Sequence, residues 1–351
     1  MQPLTLADVA AAREAIGSRL HVTPMFSSAH MTKRAHTRVL LKAETFQRTG
    51  SFKPRGAFAK LATLTREQRA RGVVTASSGN HAQALAYCAQ VTGIRCVAVM
   101  WPGASEDKIA AARSYGAAID LASADAPEAV KRAEGIAAEE GLTVVPAYDD
   151  LAVMAGQGTL GLEILDDCPD VDVVLIPVSG GGLLAGIATA VKAKRPKTRI
   201  IAVEPLRSPS LAHALAAGRP VATAQDSIAD GLLAPAIGQR CLAIATALVD
   251  EVVHVSDEEI STAVTWLYRY AKLVAEPAGA ATTAALLAGR IRARQHETVV
   301  SVVSGGNLGI PLALRLLAAD LPSGGPLAPL MSEASTIKHA EPPVSPDEHR
   351  Y

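Results

Sequence analysis

The stretch DVVLIPVSGGGLLAGIATAVKAKRPKTRIIAVE, residues 172–204, decides the fold. A Val/Ile-rich run, a glycine turn, an Ala/Leu-rich helical stretch and a second apolar run follow one another. Two neighbouring parallel strands joined by a crossover helix have this pattern. Ser179, Gly180, Gly181 and Gly182 would place several unhindered backbone N–H groups at the start of that helix, a cradle for an anion. The turn is not a P-loop, because G-x-x-x-x-G-K-[ST] is absent. It does fit a loose dinucleotide fingerprint: Gly180, Gly182 and Ala185, with Glu204 ending the next strand 22 residues after Gly182. Taken alone, the segment leaves a dinucleotide enzyme as a competitor.

The same alternation extends along the chain. Strand candidates lie at 39–44, 72–77, 95–101, 118–122, 143–147, 172–179, 199–204, 251–256 and 298–304. They predict an α/β fold of open, mostly parallel twisted sheets flanked by helices. Glycine-containing turns follow three of them, SSGN (77–80), SGGG (179–182) and SGGN (304–307). Ligands of open α/β sheets collect at such strand ends. Near the N-terminus, Thr5 with Asp8 reads as a capping box, and Leu6, Val9, Ala10, Ile16 and Leu20 as one helix face. The last thirty residues are Pro-rich, lack periodicity and read as a mobile tail.

A length of 351 residues suggests about two domains. Aromatics are 3% of a chain that is 49% hydrophobic, so aliphatic side chains must pack its cores. Lys+Arg and Asp+Glu are equal at 34 each, which gives no electrostatic case for nucleic acid or an anionic membrane as partner. Cys88, Cys96, Cys168 and Cys241 form no C-x-x-C pair and read as small buried hydrophobes in a reducing compartment. The N-terminus has no secretory pattern and no apolar run is long enough to span a bilayer, so a cytoplasmic location is expected.

In TGSFKPRGAF (49–58), Pro54 suits the first position of a helix and biases Lys53 toward an extended conformation just outside it. The positive end of the helix dipole, Arg55 nearby and burial beside Phe52 would all disfavour an ammonium there. Lys53 is then either a solvated loop lysine or an amine poised to attack an aldehyde. In TASSGNHAQALAYCAQ (75–90), hydroxyls, an amide and backbone N–H groups meet at a helix start, either as a cap or as an anion site. His81 by itself is read as structural. Ser304 ends a strand, and Gly305 and Gly306 would let backbone approach a ligand. EPAGA (276–280) and Ala229-Asp230-Gly231 mark further turns.

In this order S-F-K-P-R-G-A, S-S-G-N-H-A-Q, A-G-Q-G-T (155–159), S-G-G-G-L-L-A-G, A-D-G, E-P-A-G-A and S-G-G-N resemble the serine/threonine dehydratase and serine racemase family, which are fold-type II pyridoxal-phosphate (PLP) enzymes. The resemblance spans about residues 5–320. It implies a tryptophan-synthase-β-like fold with the site between two domains: a large one of residues 1–71 and 149–320, and a small mobile one of 72–148, followed by a flexible tail at 321–351. It implies that Lys53 holds PLP covalently, beside Phe52. Ser179, Gly180, Gly181, Gly182 and Leu183 would hold the phosphate, Asn80 the ring hydroxyl and Ser304 the pyridine nitrogen. Gly231 and Glu276 would border the ring. Ser77, Ser78, Gly79, Asn80 and His81 would line the substrate carboxylate site. Phe52, Ala82, Gln157, Leu232 and Leu233 would set the pocket's size.

The implied reaction is dehydration and deamination of an L-3-hydroxy amino acid, L-threonine or L-serine, with Lys53 as the base. Alternatives are racemisation with Ser78 as a second base, dehydration of hydroxyaspartate or a bulkier substrate, and β-replacement. The family's Mg or Ca site maps to Glu204, Ser208 and Ser210, with a serine where the second acid would stand. Ser179 replaces a frequent fourth glycine. No C-terminal regulatory domain is expected, and a homodimer is.

Overall fold

The computed structural model describes residues 2–102 and 104–318. Its strands are β1 (Met25–Ser27), β2 (Arg38–Ala43), β3 (Val73–Ala76), β4 (Cys96–Val99), β5 (Ala118–Asp120), β6 (Thr143–Val144), β7 (Val173–Pro177), β8 (Arg199–Pro205), β9 (Glu251–Val255) and β10 (Thr298–Val303). The helices are α1 (Leu6–Ile16), α2 (Ala29–Ala35), α3 (Lys53–Ala62), α4 (Arg66–Arg71), α5 (Asn80–Thr92), α6 (Glu106–Ser114) and α7 (Ala126–Glu140). They continue as α8 (Leu151–Asp167), α9 (Gly182–Lys194), α10 (Ser210–Ala217), α11 (Gln239–Leu248), α12 (Asp257–Trp266), α13 (Pro277–Leu287) and α14 (Ile310–Ala318).

Two sheets result. One has the order β1-β2-β10-β7-β8-β9 and is parallel except where β1 meets β2. The other, β5-β4-β3-β6, is parallel throughout. The stretch 172–204 is the expected βαβ unit: β7 and β8 lie side by side, with Val173 opposite Arg199 and Pro177 opposite Val203. Strands occupy all nine expected places. β6 keeps two residues because Pro146 cannot extend a ladder. β1, with three residues on an antiparallel edge, is too short to show a period.

AGQGT at 155–159 lies inside α8, where its glycines let helices touch. A Cβ on Gly156 would stand 2.3 Å from Arg55 O, and one on Gly158 would stand 2.8 Å from Gly186 O. A Cβ on Gly186 would meet Met154 O at 2.3 Å. Close packing of α3, α8 and α9 therefore depends on missing side chains. α1 has its capping box, Thr5 and Asp8 exchanging bonds of 2.8 and 3.2 Å. Its buried face is Val9, Ala12 and Ile16, while Ala10 is exposed, contrary to the sequence reading.

Beneath the start of α3 lies a buried ionic network. Arg55 donates to Glu44 at 2.7 and 2.8 Å and to Glu163 at 2.6 and 3.0 Å. Lys42 reaches Glu163 at 3.1 Å and Asp167 at 2.9 Å. Charges buried this deeply persist when paired and fully hydrogen-bonded. A separate unit begins at Gly309 and carries α14. The tail expected at 321–351 lies outside the described residues.

Candidate active site

The three glycine turns converge. Residues 77–81, 179–183 and 304 line one cavity of about 240 Å³, together with Phe52, Lys53, Tyr148, Asp230–Pro235, Glu276 and Ala278. Strand ends of both sheets and the starts of α3, α5, α9 and α13 form its walls.

Lys53 is presented by a constrained turn. Thr49 (φ 62°) and Gly50 (φ 70°) both lie in the left-handed region. A Cβ on Gly50 would sit 2.4 Å from Asn307 Oδ1. Ser51 then bridges to Gly305, and Phe52 N–H donates to Ser304 O at 3.1 Å. Lys53 follows as the first residue of α3, inside the helix rather than outside it as the sequence suggested. Its Nζ donates to Ala147 O at 3.1 Å and lies 5.1 Å from the Phe52 ring centroid. Desolvation lowers its pKa to about 8, against the opposing influence of Cys241 and Glu276. Arg55 has no part in that shift, because its charge is paired with Glu44 and Glu163 beneath the helix.

The anion cradle is the start of α9. Its N-cap, Gly181, has φ 91° and no side-chain cap. A Cβ on Gly180 would fall 2.3 Å from the Tyr148 ring, so the loop and the ring are in direct contact. Ser179 has a bracing role: its Oγ accepts the Ala234 N–H at 2.7 Å, while Gly180 O accepts that of Gly238 at 3.0 Å. α5 also starts without a side-chain cap, at Gly79. Ser77 Oγ accepts the Gly79 N–H at 3.3 Å, and Ser78 lines the cavity without capping the helix. His81 is buried; its Nε2–H donates to Val145 O at 3.1 Å. Burial, then the charge of Lys53, pushes its pKa down to about 3, so the ring is neutral.

A polar relay crosses the site. Asn307 Nδ2 donates to Thr49 O and to Asn80 Oδ1, each at 2.8 Å. Asn80 Nδ2 donates to Glu276 Oε1 at 2.5 Å. Lys108 of α6 lies 3.8 Å from Glu276 Oε2 and donates to Asp230 Oδ2. Burial raises the Glu276 carboxyl to about 7 while Lys108 pulls it down. Lys108, Tyr148 and Trp101 line the cavity and went unread in the sequence, since none sits in a glycine motif and tertiary folding alone brings them here. Asp230 was visible as part of A-D-G, and its side chain was not.

Ala82 and Gln157, read as setting pocket size, do not line the cavity. Ala82 packs with Ala98 and Met100, and Gln157 is buried against Gly56. Phe52, Leu232 and Leu233 do line it. Glu204 is fully buried and caps α10, accepting N–H groups of Leu211 at 2.6 Å and Ala212 at 3.0 Å. Ser210 Oγ lies 3.1 Å from Glu204 Oε1 and 2.9 Å from Ser179 O, which share its single proton; Ser208 Oγ points to Leu232 O at 3.4 Å. One carboxylate already engaged by backbone donors does not fit a Mg or Ca site, which depends on several oxygen ligands. It does not fit a ribose contact either, which removes the acidic residue of the dinucleotide fingerprint.

The remaining set fits a phosphorylated carbonyl cofactor. An amine with a depressed pKa shares a cavity with the uncapped, glycine-rich start of α9, whose backbone N–H groups are left for an anion. Comparison with known proteins agrees. Residues 18–305 match the family described as pyridoxal-phosphate dependent enzyme. The chain is 38% identical over 323 residues to an L-threonine ammonia-lyase of Thermotoga maritima, covering 92% of this chain and 80% of that one. It superposes on a maize serine racemase with a TM-score of 0.85 at 32% identity, covering 91% and 98% of the two chains. Against a threonine deaminase of T.th. the TM-score is 0.82 at 39% identity, with 87% and 99% covered.

Proposed function

Because this chain belongs to the family of pyridoxal-phosphate dependent enzymes, we propose that it dehydrates and deaminates a small L-3-hydroxy amino acid, L-threonine or L-serine, to a 2-oxo acid and ammonia. The names of the T. maritima and T.th. relatives support the substrate. The observation that carries the reading is the Lys53 amine, held near pKa 8 in the cavity of the 179–183 cradle.

The residues divide the work. Lys53 would hold the cofactor and serve as the base toward the substrate's Cα proton, a role that its lowered pKa, about 8 in the protein alone, supports. The bound cofactor supplies an electron sink for the Cα electron pair. Ser179, Gly180, Gly181, Gly182 and Leu183 hold its phosphate through the start of α9. Asn80, fixed on both sides by Asn307 and Glu276, presents its amide to the ring, which Gly231 and Glu276 border. Ser304 offers a hydroxyl to the ring nitrogen, so the sink stays weaker than a carboxylate partner would make it, which suits elimination. Ser77, Ser78, Gly79, Asn80 and His81, at the start of α5, hold the substrate carboxylate.

A panel of L- and D-3-hydroxy amino acids, read by 2-oxo acid release, tests the reading. L-Threonine or L-serine should turn over, and Lys53→Ala should fold but lose turnover. A protein that takes up no PLP, or releases no 2-oxo acid from any member, overturns it. Racemisation is a second reading, favoured by Ser78: it lines the cavity, caps no helix and is free to serve as a base. D-serine formed from L-serine and lost in Ser78→Ala would establish it; no D-isomer would remove it.

Residues 72–148, built on the four-stranded sheet, are proposed to move as the small domain. A homodimer is proposed on exposed apolar side chains: Phe26 packs against Phe46 (centroids 5.9 Å), and Tyr270 and Val274 are half or more exposed. No described helix is long and apolar enough to cross a membrane. Four buried free thiols support a reducing, cytoplasmic setting.

A further inference from the structure

Lys108 comes from α6, next to the four-stranded sheet, yet its amine ends between two carboxylates of the other sheet's loops. It donates to Asp230 Oδ2 and lies 3.8 Å from Glu276 Oε2. Lys108 is 5% exposed and Glu276 2% exposed, whereas the Asp230 side chain is 58% exposed at the cavity rim. Glu276 Oε2 has no hydrogen-bond partner, so Lys108 supplies the nearest compensation for that oxygen. The other oxygen of Glu276 holds the Asn80 amide.

We propose that Lys108 is a positioning residue: it fastens α6 across the mouth of the site, sets its charge against the unbonded oxygen of Glu276 and, through Glu276, fixes Asn80. The groups facing Glu276 are Lys108 from α6, Asp230 from the 230–232 turn, Lys53 from α3 and the Asn80 amide from α5. His81, also on α5, is neutral. Burial pushes the Glu276 carboxyl up, Lys108 pulls it down and Asp230 pushes it up. Removing each partner must therefore move it in opposite directions. Without Lys108, Glu276 takes a proton at higher pH; without the Asp230 charge, it keeps its negative charge to lower pH. A protonated Glu276 loses the charge-assisted bond to Asn80. The inference rests on the proposed dehydratase reading for its activity arm alone.

Lys108→Met, Lys108→Arg and Asp230→Asn are compared with the unaltered holoenzyme by the pH profile of kcat/KM for L-threonine. The acidic limb should move up by about one pH unit in Lys108→Met, the size of shift a close opposite charge produces. It should move down in Asp230→Asn and stay in place in Lys108→Arg. Hydrogen exchange of residues 106–114 in the cofactor-free protein should be faster in Lys108→Met and restored in Lys108→Arg. Limbs that stay put or move in the same direction overturn the coupling. Unchanged exchange in Lys108→Met overturns the fastening, whether or not the unaltered protein turns over any substrate.

Discussion

A nucleophilic lysine needs a neutral amine, and for Lys53, the proposed cofactor lysine, desolvation rather than repulsion lowers the pKa toward one. The sequence reading assigned part of that effect to Arg55. The structure turns Arg55 to the opposite side of the helix, into a balanced buried network. That distinction has a kinetic consequence. Capture of PLP by the cofactor-free protein should accelerate about tenfold per pH unit below pH 8 and level off above it, following the neutral fraction of the amine. Stopped-flow absorbance checks this; a plateau reached only near pH 10 would mean an ordinary lysine. Arg55→Met strands Glu44, leaves Glu163 to Lys42 alone, and should cost about 3–5 kcal/mol in urea unfolding, the usual penalty for breaking a buried ion pair. Arg55→Lys, lacking the bidentate fork, should recover part of it. Lys53 was legible because its neighbours form a local motif. Lys108 was not, since its two partners lie 122 and 168 residues further along the chain.

Helix starts separate into two groups. Thr5, Ser28, Thr65, Ser105, Asp125, Asp150 and Ser256 cap their own helices, including α6 and α7, whose first turns reach the cavity through Lys108 and through Ala126 and Pro127. Glu204 closes α10, and Asp149 closes α11 by accepting from Gln239, Arg240 and Cys241. The starts of α3, α5, α9 and α13, all on the cavity, have no side-chain cap. The Ser/Asn cluster at 77–80 could be read as cap or anion site; the structure removes the first, because Gly79 is the N-cap. Strand positions were legible because buried parallel strands are continuous apolar runs. Edge strand β1 had no such signature. Gly180→Ala would overpack Tyr148 by about 1–3 kcal/mol, raising the dissociation constant for PLP roughly tenfold or more by titration. Since Glu204 serves α10, EDTA should leave turnover unchanged and Mg²⁺ should add nothing; stimulation by either Mg²⁺ or Ca²⁺ would contradict the capping role.

At the scale of the molecule, two sheets and one cavity make stability conditional on the cofactor. A ligand bound to the folded form alone adds RT ln(1 + [L]/Kd), so PLP at about a hundred times its Kd should add about 2.7 kcal/mol and raise Tm by several degrees. A calorimetric scan with and without PLP checks it, and Lys53→Ala should reduce the rise. The α/β class was legible from the order of strands and turns, and the two-sheet plan from the family resemblance alone. What joins the sheets at the site, Lys108 with Asp230 and Glu276, depends on three dimensions. The uncapped start of α5 has a wider consequence. A Cβ at position 79 meets nothing closer than 3.9 Å, so an aspartate fits there. Gly79→Asp would supply the missing cap and a favourable charge, gaining up to about 1 kcal/mol. It would also put an anion where the substrate carboxylate is proposed to bind. Durability and reactivity thus compete for the same few backbone donors, and one substitution at position 79 would yield a sturdier protein that has stopped being an enzyme.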